Sequence, residues 1–213
     1  MGGWSKFEFD LRTNHNLKWI RVCIVKRKSI YNTNMANFAD SPHFAVHDDY
    51  YTPKSAWQQI DHILPKGKII LEAFMFNADH SKSPEYLQEL GCKVVYSNTY
   101  DFIGDDPAGL LPDHDLVVSN PPYSKELKMG ALNKLHTDDK PFIIILNSNI
   151  LYTNYLRDIF GEDMKHLQVI QPRGKINFDK FEEGVLRPTK NCSFYAIYLC
   201  YKMEIANEDL WLK

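Results

Sequence analysis

One short segment of the sequence constrains the fold more than any other. Leu116–Val118 is an apolar run, and Asn120-Pro121-Pro122-Tyr123 follows it after a single serine. A short continuous apolar run predicts a strand buried on both faces, as in a parallel sheet. Neither proline has an N–H to donate to a neighbouring strand, so the strand must end near Asn120. Because α/β sheets bind ligands at the carboxyl ends of their strands, the segment predicts a rigid polar tip at a binding site.

The tip suits chemistry on a planar amine. Asn120 offers a side-chain carbonyl and Pro121 a main-chain carbonyl in a fixed direction, so two acceptors can converge on one –NH2 group. Tyr123 offers a flat face for a planar ring. A strand followed by an ordinary Pro-Pro turn is the alternative, and the apolar strand that precedes the motif favours the functional interpretation.

Asn120-Pro121-Pro122-Tyr123 resembles the catalytic motif of the S-adenosylmethionine-dependent amino-methyltransferases, chiefly the adenine-N6 DNA methyltransferases of the small phage and virus type. The resemblance implies that these four residues are catalytic and that S-adenosylmethionine is the cofactor. It implies a Rossmann-like class I methyltransferase sheet, mostly parallel with an antiparallel C-terminal hairpin and with helices on both faces. The implied reaction methylates the N6 amine of adenine in DNA after the base is flipped out of the stack.

The same resemblance places part of the cofactor site before and at the end of the first predicted strand, residues 68–74. Tyr51 and Thr52 belong to a Thr-Pro segment whose residues contact the methionine end of the cofactor in the family. By residue type, Thr52 also predicts an ordinary N-cap for the helix that follows. Glu72 and Phe74 keep the Glu-x-Phe sequence of the small members.

Asp101 and Phe102 resemble the family's Asp-Phe pair, whose carboxylate accepts from the cofactor adenine while the ring packs nearby. Two features depart from the family. Asn77 and Ala78 stand where the cofactor loop usually has glycines, and the second predicted strand, residues 93–96, is followed by no acidic residue for the ribose. These departures keep open a degenerate methyltransferase-like subunit that only binds a partner or nucleic acid.

The C-terminal segment carries the predicted substrate contacts. Residues 173–178 and 193–201 are predicted to be two strands around a polar loop in which cations and aromatic rings alternate. Such a loop suits stacking on an extruded base and contact with phosphates, and we assign substrate binding to Phe178 and Lys190. A solvated hairpin tip is the alternative.

Length and composition predict one globular domain over residues 1–213, with an N-terminal extension of uncertain structure at 1–49 and a catalytic core at 50–202. The apolar fraction is 44% and the net charge is −2, which argues against a protein that coats nucleic acid non-specifically. The four cysteines lack metal-ligand spacing, so we expect reduced thiols, no metal and an intracellular, soluble protein. The host cell of a virus or phage fits the resemblance.

Two alternatives to the adenine reaction stay open. Glutamine-N5 protein methyltransferases share the Asn-Pro-Pro-Tyr tip, and RNA could replace DNA as the substrate. We expect DNA as the partner, single-stranded DNA or RNA included, and no membrane. The intervals between predicted strands are too short for a target-recognition domain. Target recognition would then come from loops, from the N-terminal 50 residues, or from a protein partner or a homodimer.

Overall fold

The computed structural model describes residues 50–75, 81–96, 102–103, 111–182, 185–189 and 192–207, apart from the side chain of Glu182. Twelve regular elements lie in these ranges. In chain order they are α1 (Lys54–Gln59), β1 (Ile69–Glu72), α2 (Ser83–Glu89), β2 (Lys93–Tyr96), β3 (Leu116–Ser119), α3 (Lys125–Asp138), β4 (Phe142–Asn147), α4 (Tyr155–Phe160), β5 (Leu167–Ile170), β6 (Asp179–Glu182), β7 (Val185–Pro188) and β8 (Ala196–Tyr201). Short 3-10 helices occupy Asp61–Ile63, Ser148–Tyr152 and Gly161–His166.

Six of the strands form one sheet in the order β2-β1-β3-β4-β8-β5. The pairs β1–β2, β1–β3 and β3–β4 are parallel, whereas β8 runs antiparallel to both β4 and β5. The chain moves outward from β1 to β2 and then returns to β3 on the other side of β1. This reversal opens a crevice at the carboxyl ends of β1 and β3, where such sheets bind ligands.

Helices cover both faces of the sheet, and two apolar cores result. Trp57 of α1 and Leu87 of α2 pack on one face, while Leu132 of α3 and Phe160 of α4 pack on the other. All six residues of β4 and of β8 are buried, which explains why their sequences are almost continuously apolar. The predicted fold class, a Rossmann-like α/β sheet that is mostly parallel with an antiparallel strand pair, is confirmed.

The C-terminal hairpin differs in detail from the expectation. Residues 173–178 form no strand, and β6 pairs instead with β7 in a separate two-stranded sheet. Ile176 and Phe178 are buried in the core although they belong to no strand, so apolar alternation alone suggested a strand there. The antiparallel partners of β8 are therefore β4 and β5.

Candidate active site

A cleft opens at the carboxyl ends of β1 and β3. Seven of the residues that the sequence assigns to catalysis or cofactor binding line it, together with three that it does not. The lining residues are Tyr50, Tyr51, Thr52, Glu72, Phe74, Ser81, Asn120, Pro121, Pro122 and Leu127. The segment before α1, the end of β1 and the loop after β3 thus meet at one site.

Asn120 is held in a single orientation by two hydrogen bonds. Its Nδ2 donates to the main-chain carbonyl of Tyr50 at 3.0 Å, and its Oδ1 accepts from the Tyr123 hydroxyl, also at 3.0 Å. A carbonyl can only accept, so the bond to Tyr50 fixes which end of the amide is the oxygen. Because an amide oxygen has two lone pairs, Oδ1 can accept a second hydrogen from a ligand.

Tyr123 and Phe178 lie behind the cleft in an aromatic cluster with Tyr50 and Phe194. The Tyr123 ring centroid is 4.8 Å from that of Phe194 and 5.8 Å from that of Phe178. Tyr123 is 7% exposed and Phe178 is fully buried. Neither ring presents an open face to the cleft in this conformation, and the contact that reaches the site is the Tyr123 hydroxyl.

Glu72 is the centre of a buried polar network at the end of β1. Its carboxylate accepts from the Ser83 hydroxyl at 2.6 Å and from the Ser119 hydroxyl, and Ser83 Oγ in turn accepts from Trp57 Nε1 at 2.9 Å. Burial raises the pKa of Glu72 to about 7, and the two serine hydroxyls and the Phe74 N–H oppose that rise by bonding the ionised form. The carboxyl group of Glu72 therefore titrates near neutral pH at the edge of the cleft.

The residue predicted as the N-cap of the first helix lies at this site instead. Helix α1 has Pro53 at its N-cap with no side-chain cap bond, and the buried Oγ1 of Thr52 has no hydrogen-bond partner among the described residues. The N-cap of α2 is Lys82, while Ser83 turns its hydroxyl to Glu72. The capping prediction for Thr52 was wrong because its hydroxyl is buried beside the cleft, and the hydroxyl of Ser83 is likewise used in the interior, by the carboxylate of Glu72.

Phe102, a further predicted site residue that the structure describes, is not part of the cleft lining. Phe102 is 2% exposed, and its ring packs edge-on against Phe74 at 5.2 Å, so it supports the wall of the cleft from behind. Asp101 and Lys190 lie outside the described residues, as do Asn77 and Ala78 of the altered loop. Their assigned roles stay predictions.

Sequence reasoning missed the lining residues Tyr50, Ser81 and Leu127, and it missed Ser83 and Ser119 as partners of Glu72. Ser119 carried a usable signal, because a hydroxyl at the end of an otherwise apolar, fully buried strand needs a partner. Ser83 and Tyr50 carried none, since the partner of each is reached only through the tertiary fold.

The buried hydroxyl of Thr52 predicts opposite effects of one substitution on the stability of the protein and on its affinity for a ligand. In Thr52→Val the buried, unpaired hydroxyl is lost at nearly constant shape, so the free energy of unfolding should rise by about 1 kcal/mol. If a ligand supplies the missing partner, affinity for that ligand should fall by about tenfold. Chemical denaturation and calorimetric titration with S-adenosylmethionine measure the two effects. A variant that is both less stable and unchanged in affinity would show that Thr52 has only a packing role.

Among the residues that the structure describes, no group of three or more His, Cys, Asp or Glu side chains could hold a metal ion. In the same residues, no helix is both long and apolar enough to cross a membrane. Cys92, Cys192 and Cys200 are buried free thiols.

No protein-family model matches the chain, and the search of curated proteins found no match either. Solved structures with a similar fold include the methyltransferase subunit of a type I restriction-modification system from Streptococcus thermophilus, at a TM-score of 0.46 and 17% identity over 75% of this chain. They also include a protein described as a candidate RNA methyltransferase from Pyrococcus horikoshii. Its TM-score is 0.39 and its sequence identity is 14%, and the match covers 72% of this chain and 86% of that one. A third is a SAM-dependent O-methyltransferase from Thermotoga maritima. Its TM-score is 0.34 and its sequence identity is 12%, and the match covers 69% of this chain and 64% of that one.

The chain spans 46% of the length of the first of these structures. At these levels of similarity the function of this chain has to be argued from its own cleft.

Proposed function

We propose that this protein transfers a methyl group from S-adenosylmethionine to the N6 amine of adenine in DNA. The observation that carries the proposal is the fixed amide of Asn120 in the lining of the cleft, which Pro121, Glu72 and Thr52 also line. This arrangement puts acceptors for an amine next to groups that suit a cationic, hydrogen-bonding ligand.

The lining of the cleft fits S-adenosylmethionine on two counts. Thr52 Oγ1 is a buried polar atom that lacks a partner in the described structure, and a ligand in the cleft can provide one. Glu72 lines the same cleft, and its ionised form would stabilise a positively charged ligand. Phe74 adds an apolar surface to the lining of the cleft.

Bound in the cleft, S-adenosylmethionine would supply an electrophilic methyl group on a positively charged sulfur. The chain's own contribution is to position and activate the acceptor nitrogen. The lone pair of an aromatic amine is delocalised into its ring, which makes the amine a poor nucleophile. Asn120 Oδ1 and the Pro121 carbonyl can each accept a hydrogen bond from one N–H of the amine. This favours a pyramidal nitrogen with its lone pair directed at the methyl group.

An adenine inside a duplex cannot reach this cleft, so the base must leave the stack at a cost of a few kcal/mol. The Tyr123 and Phe178 rings are packed against each other and against Phe194, so a flipped base could stack on them only after part of the aromatic cluster moved. We therefore expect faster methylation of single-stranded or mismatched DNA than of intact duplex, because extrusion costs less there.

Nucleoside analysis by mass spectrometry tests the proposal. The protein is incubated with S-adenosylmethionine carrying a labelled methyl group and, in parallel, with unmodified DNA, RNA or a protein mixture. Labelled N6-methyladenine in DNA is the expected product. Methyl-glutamine in protein, or N4-methylcytosine alone, would overturn the adenine assignment and leave methyl transfer standing.

A degenerate subunit that only binds is the second candidate, and the covered faces of Tyr123 and Phe178 favour it. Calorimetry separates the two. Heat of binding with S-adenosylmethionine or with its demethylated product supports the enzyme, whereas the absence of heat with both ligands supports the degenerate subunit.

A further inference from the structure

The β6–β7 hairpin carries two cations directly opposite each other. Lys180 on β6 is the cross-strand partner of Arg187 on β7, and Arg187 is exposed. The Cβ atoms of such pairs are about 5 Å apart, and like charges in this position destabilise a hairpin. Because both side chains lie on one face of the hairpin at this spacing, a single negatively charged ligand can contact both.

The hairpin is fixed beside the cleft. Tyr51 and Asp179 exchange two main-chain hydrogen bonds of 2.9 and 2.8 Å, and the Thr189 N–H donates to the Phe178 carbonyl at 2.9 Å. Lys180 Nζ lies 5.1 Å from the centre of the Tyr50 ring, and Tyr50 lines the cleft. The cationic side of the hairpin is therefore next to the candidate site.

A second cation and ring continue this surface. Lys175 Nζ lies 5.1 Å from the centre of the Tyr195 ring, and Tyr195 is 67% exposed. The Tyr195 carbonyl accepts from the Ser148 N–H at 2.8 Å, which places this residue at the carboxyl end of β4. Lys175 and Lys180 both act electrostatically on the buried thiol of Cys192, so they lie in the same region. We call Lys175, Lys180, Arg187 and Tyr195 the cationic rim.

Within the described residues, Lys175 and Lys180 of the rim are not paired with acidic side chains in the way that other lysines are. Lys66 and Lys202 pair with Asp61 and Asp139, whereas within the described chain no carboxylate forms an ion pair with Lys175 or Lys180. Asp179 adjoins Lys180 in sequence, but successive side chains of a strand point to opposite sides. Its charge acts on Tyr86 of α2, away from the rim.

We propose that the cationic rim binds the phosphodiester backbone of a single-stranded nucleic acid and so delivers the target base to the cleft. Cations interleaved with exposed aromatic faces are the combination that single-stranded nucleic acids require, with phosphates on the cations and a neighbouring base on the ring. The net charge of −2 for the whole chain makes this a local property of one edge. The inference rests on the proposed function and adds how its substrate is held.

Fluorescence anisotropy with a labelled single-stranded oligonucleotide tests the rim charges, using the full chain without S-adenosylmethionine at 50 to 200 mM salt. Each phosphate contact contributes about 0.7 to the slope of log K against log salt for single strands, which corresponds to about fivefold in affinity at 0.1 M salt. Lys175→Gln, Lys180→Gln and Arg187→Gln should each weaken binding by about fivefold and lower the slope by about 0.7. Comparing variants cancels any contribution from other segments, such as Lys26–Lys28.

Lys202→Gln is the matched control, because it removes a lysine that pairs with Asp139 near the amino end of β4. It should bind the oligonucleotide like the wild type. If the three rim variants match this control in affinity and slope, the proposal that the cationic rim binds nucleic acid is overturned. If those variants also methylate adenine at the wild-type rate, the proposed function still stands. Competition by an Asp/Glu-rich peptide as strong as that of an unlabelled oligonucleotide would also overturn the assignment to nucleic acid.

Tyr195→Ala tests the stacking arm separately. Loss of one stacked base weakens single-strand binding by at least about fivefold, while binding to an intact duplex, whose bases are not free to stack, should not change. Thermal melting checks that each variant is folded. An equal loss for both forms of DNA, or no loss for either, would overturn the role of Tyr195 as a stacking surface.

Discussion

Asn120→Ala is expected to lower the methylation rate by about a hundredfold or more while the affinity for S-adenosylmethionine stays nearly unchanged. The side chain offers one of two acceptors for the amine, and loss of a single preorganised transition-state hydrogen bond has an effect of this size. Its own bonds are to Tyr50 and Tyr123, so its loss removes none of the hydrogen bonds that Glu72 accepts from Ser83 and Ser119. Single-turnover kinetics and calorimetric titration measure the two quantities.

Tyr123→Phe is the matched comparison for this prediction. It keeps the ring packed against Phe178 and Phe194 but removes the hydroxyl that donates to Asn120 Oδ1. The amide remains tied to the Tyr50 carbonyl, so we expect a milder loss, about tenfold for one neutral hydrogen bond. A loss in Tyr123→Phe as large as in Asn120→Ala would show that the hydroxyl, rather than the amide, acts on the amine.

The positions of the strands were predictable because their signals are local. The predicted strand at residues 93–96 coincides with β2, the predicted strand at 68–74 contains β1, and the run at 116–118 lies within β3. The cleft was predictable too, since parallel strands put their carboxyl ends at one edge. Glu72 and Asn120, 48 positions apart in sequence, were expected at one site for that reason and line the same cleft.

What could not be predicted depends on contacts between distant parts of the chain. Thr52 and Ser83 have the local sequence of helix caps, yet burial assigns both hydroxyls to the interior. Tyr123 and Phe178 have the composition of a stacking surface, but whether an aromatic ring is open or covered depends on its neighbours, here Tyr50 and Phe194. Residue type indicated which side chains matter, and only the fold shows what each of them contacts.

The pKa of Glu72 predicts how stability depends on pH. The pKa of its carboxyl group is raised from 4.5 to about 7 in the folded protein. Between these two pH values the folded state therefore holds a proton that the unfolded chain releases. The stabilisation is fully present below about pH 4.5 and is lost as pH rises to about 7. At about 1.4 kcal/mol per pH unit, the loss amounts to about 3 kcal/mol. Urea unfolding of the wild type and of Glu72→Gln from pH 4 to pH 8 measures it.

Glu72→Gln keeps the shape of the side chain and removes its titration. From pH 4 to pH 8 the free energy of unfolding of the wild type should therefore fall by about 3 kcal/mol relative to that of the variant. All other groups titrate in both proteins, so their contributions cancel in this difference. Glu85→Gln, an exposed carboxylate on α2, is the matched control for the loss of one charge. The Ser119 hydroxyl lowers the pKa of Glu72, so its removal in Ser119→Ala should raise that pKa further. The plot of the free energy of unfolding against pH should then level off above pH 7.

The same proton should govern binding of the cofactor. If only the ionised carboxylate of Glu72 stabilises the positive charge of S-adenosylmethionine, the binding-competent fraction rises from about a tenth at pH 6 to about nine tenths at pH 8 for a pKa of about 7. Affinity should then increase by about tenfold over this range in the wild type, and binding near pH 7 should release a proton to the buffer. Glu72→Gln should bind weakly and with little dependence on pH. Affinity that falls with pH, or that rises equally in the variant, would show that Glu72 only holds Ser83 and Ser119 in place.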